Sequence, residues 1–398
     1  MKRAVLVLLI LFPIGLAAQQ ENPSPVKNQL ATSAAGQARW STAGDEVASA
    51  ETDSTADVAA DAGSNAQQQP KANPSQPTPI PVETRPKIPG SMVGYIDNPI
   101  VESQIRIRFD DAFEDEFPDR SEFVYAKCGC YTHLNIPQLP SSLQLAYDPH
   151  APGPRLGVPN SINYQQLFLN LEYSAHRRFS AFVEVPIRWL QPQGFKSAPP
   201  ASLGFLPFSN QSGLSDVTAG FKFAAVASEG TYVTFQFKSY FPSGDPSKGM
   251  GTNHYSVEPS LLLYHSLSDS LTLEGQIGDW HPINGSAGVP TSSSEGFAGD
   301  VFFYGIGPSY RLYNRNRIQI APVVELFGWH VLGGFQTLPG GPVDLAASEV
   351  GGMNIVNLKF GVRTYIRARN SFYVGFGQAL THDDWYKHIV RLEYRYSF

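Results

Sequence analysis

From about Val101 to the C-terminus, apolar and polar residues alternate in stretches of roughly ten, the length a tilted strand needs to cross a bilayer. The last stretch shows the pattern most clearly. Successive strand side chains point to opposite faces, so Val390, Leu392, Tyr394, Tyr396 and Phe398 share one face while Arg391, Glu393 and Arg395 share the other. Ile105, Ile107 and Phe109 alternate with Arg106, Arg108 and Asp110, and Leu167, Leu169 and Leu171 with Gln166, Asn170 and Glu172. Val183, Val185, Ile187 and Trp189 alternate with Glu184 and Arg188; Phe221 and Phe223 flank Lys222; Phe235 and Phe237 alternate with Gln236 and Lys238. Further candidates span 255–265, 271–280, 301–312, 318–329, 355–366 and 372–380.

That makes about twelve strands, and their connections choose between a soluble sandwich and a membrane barrel, in which strands are joined by short turns on one side and longer loops on the other. Tight turns are expected at 175–178, 227–230, 267–270, 314–316 and 368–370, with longer segments between them at 111–161, 191–213, 242–253, 282–296 and 331–352. The segment 382–385 is short for an outer loop. The expected fold is therefore all-β: a transmembrane antiparallel up-and-down β-barrel of the bacterial outer membrane, with apolar faces on lipid and charges in the lumen. An even strand number puts the N-terminal tail and Phe398 on the same, periplasmic side. No stretch beyond the leader is long and apolar enough for a transmembrane helix.

The front of the chain reads differently. Lys2 and Arg3 precede an apolar run from Ala4 to Leu16, with small residues at Gly15, Ala17 and Ala18, as in a secretory signal peptide cleaved near 17–19. Residues 20–94 are expected to be a disordered periplasmic linker rich in Ala, Ser, Gln and Pro, with the barrel at 95–398; Pro74, Pro77, Pro79, Pro81 and Pro86 favour an extended spacer. The linker is a candidate handle for a periplasmic or cell-wall partner. A net charge of −6 argues against nucleic-acid binding.

Gly213-Leu214-Ser215-Asp216-Val217-Thr218-Ala219-Gly220-Phe221-Lys222-Phe223, followed by Phe241-Pro242-Ser243-Gly244-Asp245 and Gly251-Thr252, resembles the outer-membrane barrel family associated with the meta-pathway of phenol degradation. The resemblance covers 167–398 and implies a transporter-like barrel that passes small, often aromatic or hydrophobic, solutes. A segment around Asp119 to Tyr131, containing Cys128 and Cys130, departs from the general pattern. The aromatic ending Tyr394, Tyr396 and Phe398 resembles the strand read by the barrel assembly machinery.

Strand phase sends fifteen charges to the lumen: Arg106, Arg108, Glu172, Glu184, Arg188, Lys222, Lys238, Glu258, Glu274, Glu325, Lys359, Arg363, Arg391, Glu393 and Arg395. Cross-strand ion pairs and a selectivity-setting constriction are both expected roles. The long first loop is a candidate for folding inward. It opens on carboxylates from Asp110 to Glu122 without the spacing of a calcium loop, and Cys128, Cys130 and His133 are too few for a closed zinc site. A local disulfide between the two cysteines is open. Trp189, Tyr240, Tyr255, Trp280, Trp329 and Trp385 are expected near outer strand ends as an interfacial girdle.

No metal or cofactor site is expected, and no catalytic one. His254 and Ser256 have lipase-like spacing on the lumen face, and His382, Asp383, Asp384 and His388 resemble protease ingredients but read as a turn. A passive channel or facilitator is expected, with a structural or adhesive barrel of closed lumen as the alternative and a hydrolase behind both.

Overall fold

The computed structural model describes residues 90–398 apart from 118–126, 156, 196–208, 286–287, 290–291, 316 and 338–346. The expected leader and nearly all of the expected linker lie outside the described residues. Among the described residues one sheet of fourteen strands dominates, and two of these, Gln211–Leu214 and Tyr313–Arg315, are short pieces, which leaves twelve long strands. We number them β1 (Gln104–Asp115), β2 (Ser161–His176), β3 (Phe179–Gln193), β4 (Val217–Ala227), β5 (Thr231–Phe241) and β6 (Tyr255–Ser266). The second half comprises β7 (Leu271–Ile283), β8 (Val301–Tyr310), β9 (Ile318–Val331), β10 (Asn354–Ile366), β11 (Asn370–Ala379) and β12 (His388–Ser397).

Each strand pairs antiparallel with its chain neighbours, and β12 returns to β1 with Ile107 opposite Tyr394 and Arg108 opposite Glu393. The sheet is thus a closed barrel without an edge, and its ladder satisfies the backbone groups that hydrocarbon would leave unpaired. On β11, Phe372, Val374 and Phe376 are exposed outward while Ser371 and Tyr373 are buried inward. The same division runs around the ring, with Ile107, Leu171, Leu263, Phe360 and Leu392 outside. No described helix is long and apolar enough to cross a membrane; the strands carry the crossing.

Short turns gather at one rim, which in such barrels faces the periplasm, and long connections at the other. The expected turn between β7 and β6 falls at 267–270 as read from the sequence, whereas β8 stops at Tyr310 and Tyr313–Arg315 pairs back on β9, so that hairpin tip lies beyond 314. The first outer loop packs Cys128, Cys130, Tyr131 and Leu134 against Phe297 of the β7–β8 loop and Phe335 of the β9–β10 loop. The β1–β2 and β7–β8 loops are rooted six positions apart in a ring of twelve. They meet only by crossing the mouth, so the first loop caps the outer end.

The lumen is filled from the opposite side. Residues 90–103 fold into the periplasmic half of the barrel, where Met92, Val93 and Ile96 are buried, and the chain returns to the rim where Ser103 accepts the backbone N–H of Phe398 at 3.0 Å. The expected boundary between linker and barrel at 94/95 falls in the middle of this plug. The first loop, a candidate for this place, stays above.

Candidate functional site

The plug has no regular secondary structure, so its backbone groups need partners from the wall. The carboxylate of Glu325 accepts three consecutive N–H groups, from Gly94, Tyr95 and Ile96, each at 2.9 Å, and the hydroxyl of Tyr373 at 3.1 Å. Glu274 accepts from Met92 at 2.8 Å, and Gln276 from Asp97 at 2.8 Å. Arginines supply the complementary donors: Arg363 reaches the carbonyls of Met92 and Val93 at 2.9 and 2.6 Å, Arg391 that of Gly94 at 2.7 Å, and Arg395 that of Val93 at 3.2 Å. Gly305 and Gly307 on the inner face of β8 provide the room. A Cβ at Gly307 would lie 2.8 Å from Val93 and 3.0 Å from Glu325, and one at Gly305 3.1 Å from Ile96.

Between this plug and the outer loops lies a chamber of about 320 Å³. Ten of the fifteen charges assigned to the lumen line it: Arg106, Arg108, Glu172, Glu184, Arg188, Lys222, Lys238, Glu258, Lys359 and Arg391. The other five, Glu274, Glu325, Arg363, Glu393 and Arg395, are buried lower down, where four of them hold the plug directly. Glu393 acts through its neighbours, pairing with Arg363 at 2.7 Å and Arg395 at 2.6 Å.

Most chamber charges are paired across strands, as burial of a lone charge would be costly. Arg106 meets Glu184 at 2.6 Å, with Arg108 at 3.6 Å from the same carboxylate, and Lys222 meets Glu172 at 2.9 Å. Lys238 bridges Glu258 at 2.8 Å and Asp97 of the plug at 2.7 Å, while the hydroxyl of Tyr240 donates to Glu258. Arg391 grips both oxygens of Asp110 at 2.6 and 2.7 Å. Asp110 had a second reading as the opening of an acidic loop; β1 continues to Asp115, so Asp110 belongs to the wall. Arg188 reaches the carbonyl of Gly249 at 3.5 Å.

The aromatic residues correct an expectation. Trp189 and Tyr255 are exposed on the outside, but Tyr240, Trp280, Trp329 and Trp385 line the chamber together with Phe303, Phe327 and Tyr386. Strand phase carried the signal: Tyr240 is two residues from Lys238, Trp280 shares parity with Glu274 and Gln276, and Trp329 shares parity with Glu325. Nearness to a strand end decided the girdle reading, whereas parity decides the face.

The plug residues Tyr95 and Asp97 escaped sequence reasoning because 90–103 shows no alternation. Cys128 and Cys130 are bonded to one another, Cα atoms 5.2 Å apart, inside the outer-loop cluster. His254 and Ser256 are buried on the lumen side, whereas His382 is exposed and Asp384 buried, so the His382 and Asp384 side chains differ in access to solvent. Desolvation, reinforced by Glu116, raises the Asp384 carboxyl to about 6.

A closed twelve-stranded barrel with an outward apolar belt, an inward charged face and loops of unequal length at its two rims is a porin-like outer-membrane β-barrel. The family resemblance holds as well: residues 162–279 match the family described as "Putative MetA-pathway of phenol degradation". No curated protein matches the chain in sequence. Among solved structures, an outer membrane channel from Pseudomonas putida F1 is similar at 13% identity and a TM-score of 0.42, over 79% of this chain and 100% of that one. The beta domain of the Bordetella autotransporter BrkA gives 11%, 0.41, 75% and 100% for the same quantities, and the NanC porin 9%, 0.38, 59% and 94%.

Proposed function

We propose that the protein is an outer-membrane channel or facilitator for small solutes with aromatic character, held shut at rest by residues 90–103. The observation that carries the reading is the chamber itself, a polar and aromatic compartment of about 320 Å³ with Tyr95 and Asp97 of the plug on one side and Gly251, Thr252, Trp385 and Tyr386 of the outer connections on the other. A barrel serving only as scaffold has no need of an internal compartment. The plug joins the wall covalently only where Ser103 leads into β1; the rest is held by hydrogen bonds and the Asp97–Lys238 ion pair, so it can leave without breaking the sheet.

A second reading has its own support: the plug closes the lumen, as a structural or adhesive barrel would require. Planar-bilayer conductance separates them. Purified full chain is expected to be mostly closed, with openings that become frequent once the plug contacts are weakened. A protein that never conducts, with or without its plug anchors, is a structural barrel.

Two partner assignments accompany the channel reading. The exposed ring of Phe398, stacked on Tyr396, is the signal for the barrel assembly machinery, and the segment before the plug is a tether for a periplasmic or cell-wall partner. Loss of outer-membrane insertion on removing Phe398, and of retention with the cell wall on removing 20–89, are the respective checks.

A further inference from the structure

Seven cations and six carboxylates line the chamber. The carboxylates are accounted for: Glu184 takes Arg106 and Arg108, Glu172 takes Lys222, Asp110 takes Arg391, and Asp97 and Glu258 share Lys238. Asp216 directs its oxygens at the backbone of Gly244 and Thr252 and the hydroxyl of Thr252. Arg188 reaches the carbonyl of Gly249 and is attracted by Asp216, which leaves Lys359. Although almost fully buried, it forms no ion pair among the described residues, even with Glu325, which stands opposite it in the register of β9 and β10.

What surrounds its ammonium instead is aromatic. The Tyr95 ring centroid lies 3.9 Å away, that of Phe327 5.1 Å and that of Trp329 5.3 Å. Ring faces attract a cation but do not neutralise it. Tyr95 adds an independent observation: with Asp97 it is a plug residue at the chamber floor, it is about nine-tenths buried, and its hydroxyl has no hydrogen-bond partner among the described residues. A surplus ammonium and an unanswered O–H thus belong to one ring contact, and an anionic acceptor would satisfy both. Phe303 and Phe327, stacked with centroids 6.2 Å apart, and Trp329, 4.6 Å from Phe327, supply flat apolar faces beside it. The chamber's volume lies at the small end of ligand sites.

We propose that the chamber binds a small aromatic monocarboxylate, its carboxylate on Lys359 Nζ and the Tyr95 hydroxyl and its ring against Phe303, Phe327 and Trp329. This rests on the channel reading and narrows its solute class from aromatic in general to aromatic and anionic. Because Tyr95 belongs to the plug, such a ligand contacts wall and plug at once.

The test uses the full chain folded in detergent, with folding checked by heat-modifiable gel mobility and binding read from tryptophan fluorescence. Benzoate, benzyl alcohol and cyclohexanecarboxylate are the probes. Benzoate is expected to bind about tenfold or more tightly than benzyl alcohol, the range of a charge-assisted hydrogen bond, and also more tightly than the non-aromatic acid. Lys359→Gln should abolish the preference for benzoate over benzyl alcohol by weakening benzoate about tenfold more than benzyl alcohol; Lys359→Arg should restore the preference; Tyr95→Phe should cost roughly fivefold for benzoate. Equal binding of benzoate and benzyl alcohol, unaltered benzoate binding in folded Lys359→Gln, or no binding of any probe to folded wild type would overturn the proposal. Bilayer conductance of the same preparations keeps the two readings apart. Pores without benzoate preference remove this inference alone, whereas complete absence of pores removes the channel reading beneath it.

Discussion

Replacing Glu325 by Gln changes a single carboxylate that receives three plug N–H groups, all at 2.9 Å, from successive residues of an otherwise irregular segment. Glutamine can keep its oxygen where Tyr95 and Ile96 both donate, but it then turns its NH2 group toward the Gly94 N–H, so one plug bond is lost outright and the other two no longer go to a charged acceptor. A hydrogen bond to a charged acceptor contributes about 1.5–3 kcal/mol, and the released N–H regains water only if the plug leaves. A shift of about 3 kcal/mol toward the unplugged state follows, close to a hundredfold in the equilibrium. Glu274 and Gln276 still hold Met92 and Asp97, so the segment is expected to sample the open state rather than abandon the lumen. In planar bilayers Glu325→Gln should raise open probability by one to two orders of magnitude, and amide exchange at Gly94, Tyr95 and Ile96 should accelerate in parallel. A folded variant that opens no more often than wild type, with unaltered exchange at those amides, refutes the assignment of Glu325 as the anchor.

Gly307→Val should also open the lumen, since a Cβ there already meets Val93 at 2.8 Å; the check is conductance together with proteolysis of the released segment. Val374→Arg puts a cation on the lipid face of β11, where Val374 is 57% exposed, and should cost about 2–4 kcal/mol in urea-driven unfolding from lipid vesicles, whereas an aqueous surface would tolerate it. Asp384, in the short outer loop between β11 and β12, has its pKa raised from 3.8 to about 6 by desolvation. A folded pKa above the unfolded one means that the charged form opposes the folded loop. The penalty is fully present above pH 6, declines as pH falls through 6 and is gone below 3.8. Asp384→Asn should therefore increase exchange protection of 380–387 at pH 7.5 and leave it unchanged below pH 4, and an equal effect at both pH values would exclude titration of Asp384 as the cause.

Side-chain alternation is a property of each strand alone, with a period of two, so the strand positions, the lipid face and the fifteen lumen charges were legible before any contact was known. Turn lengths are similarly local, which is why the rims and the even strand number could be read. The same parity would have turned Tyr240, Trp280 and Trp329 inward had it been preferred to their place along the strand. Tertiary structure alone decided what the lumen contains. The plug has no period of its own, and its anchors lie far along the chain, as with Gly94 and Glu325 at a separation of 231 residues. Charge pairing is equally nonlocal: Asp110 and Arg391 meet across the seam that closes β1 on β12, 281 residues apart. Only when each carboxylate has been given its partner does Lys359 emerge as the surplus cation, because a surplus belongs to the whole enclosed set and to no single stretch of sequence.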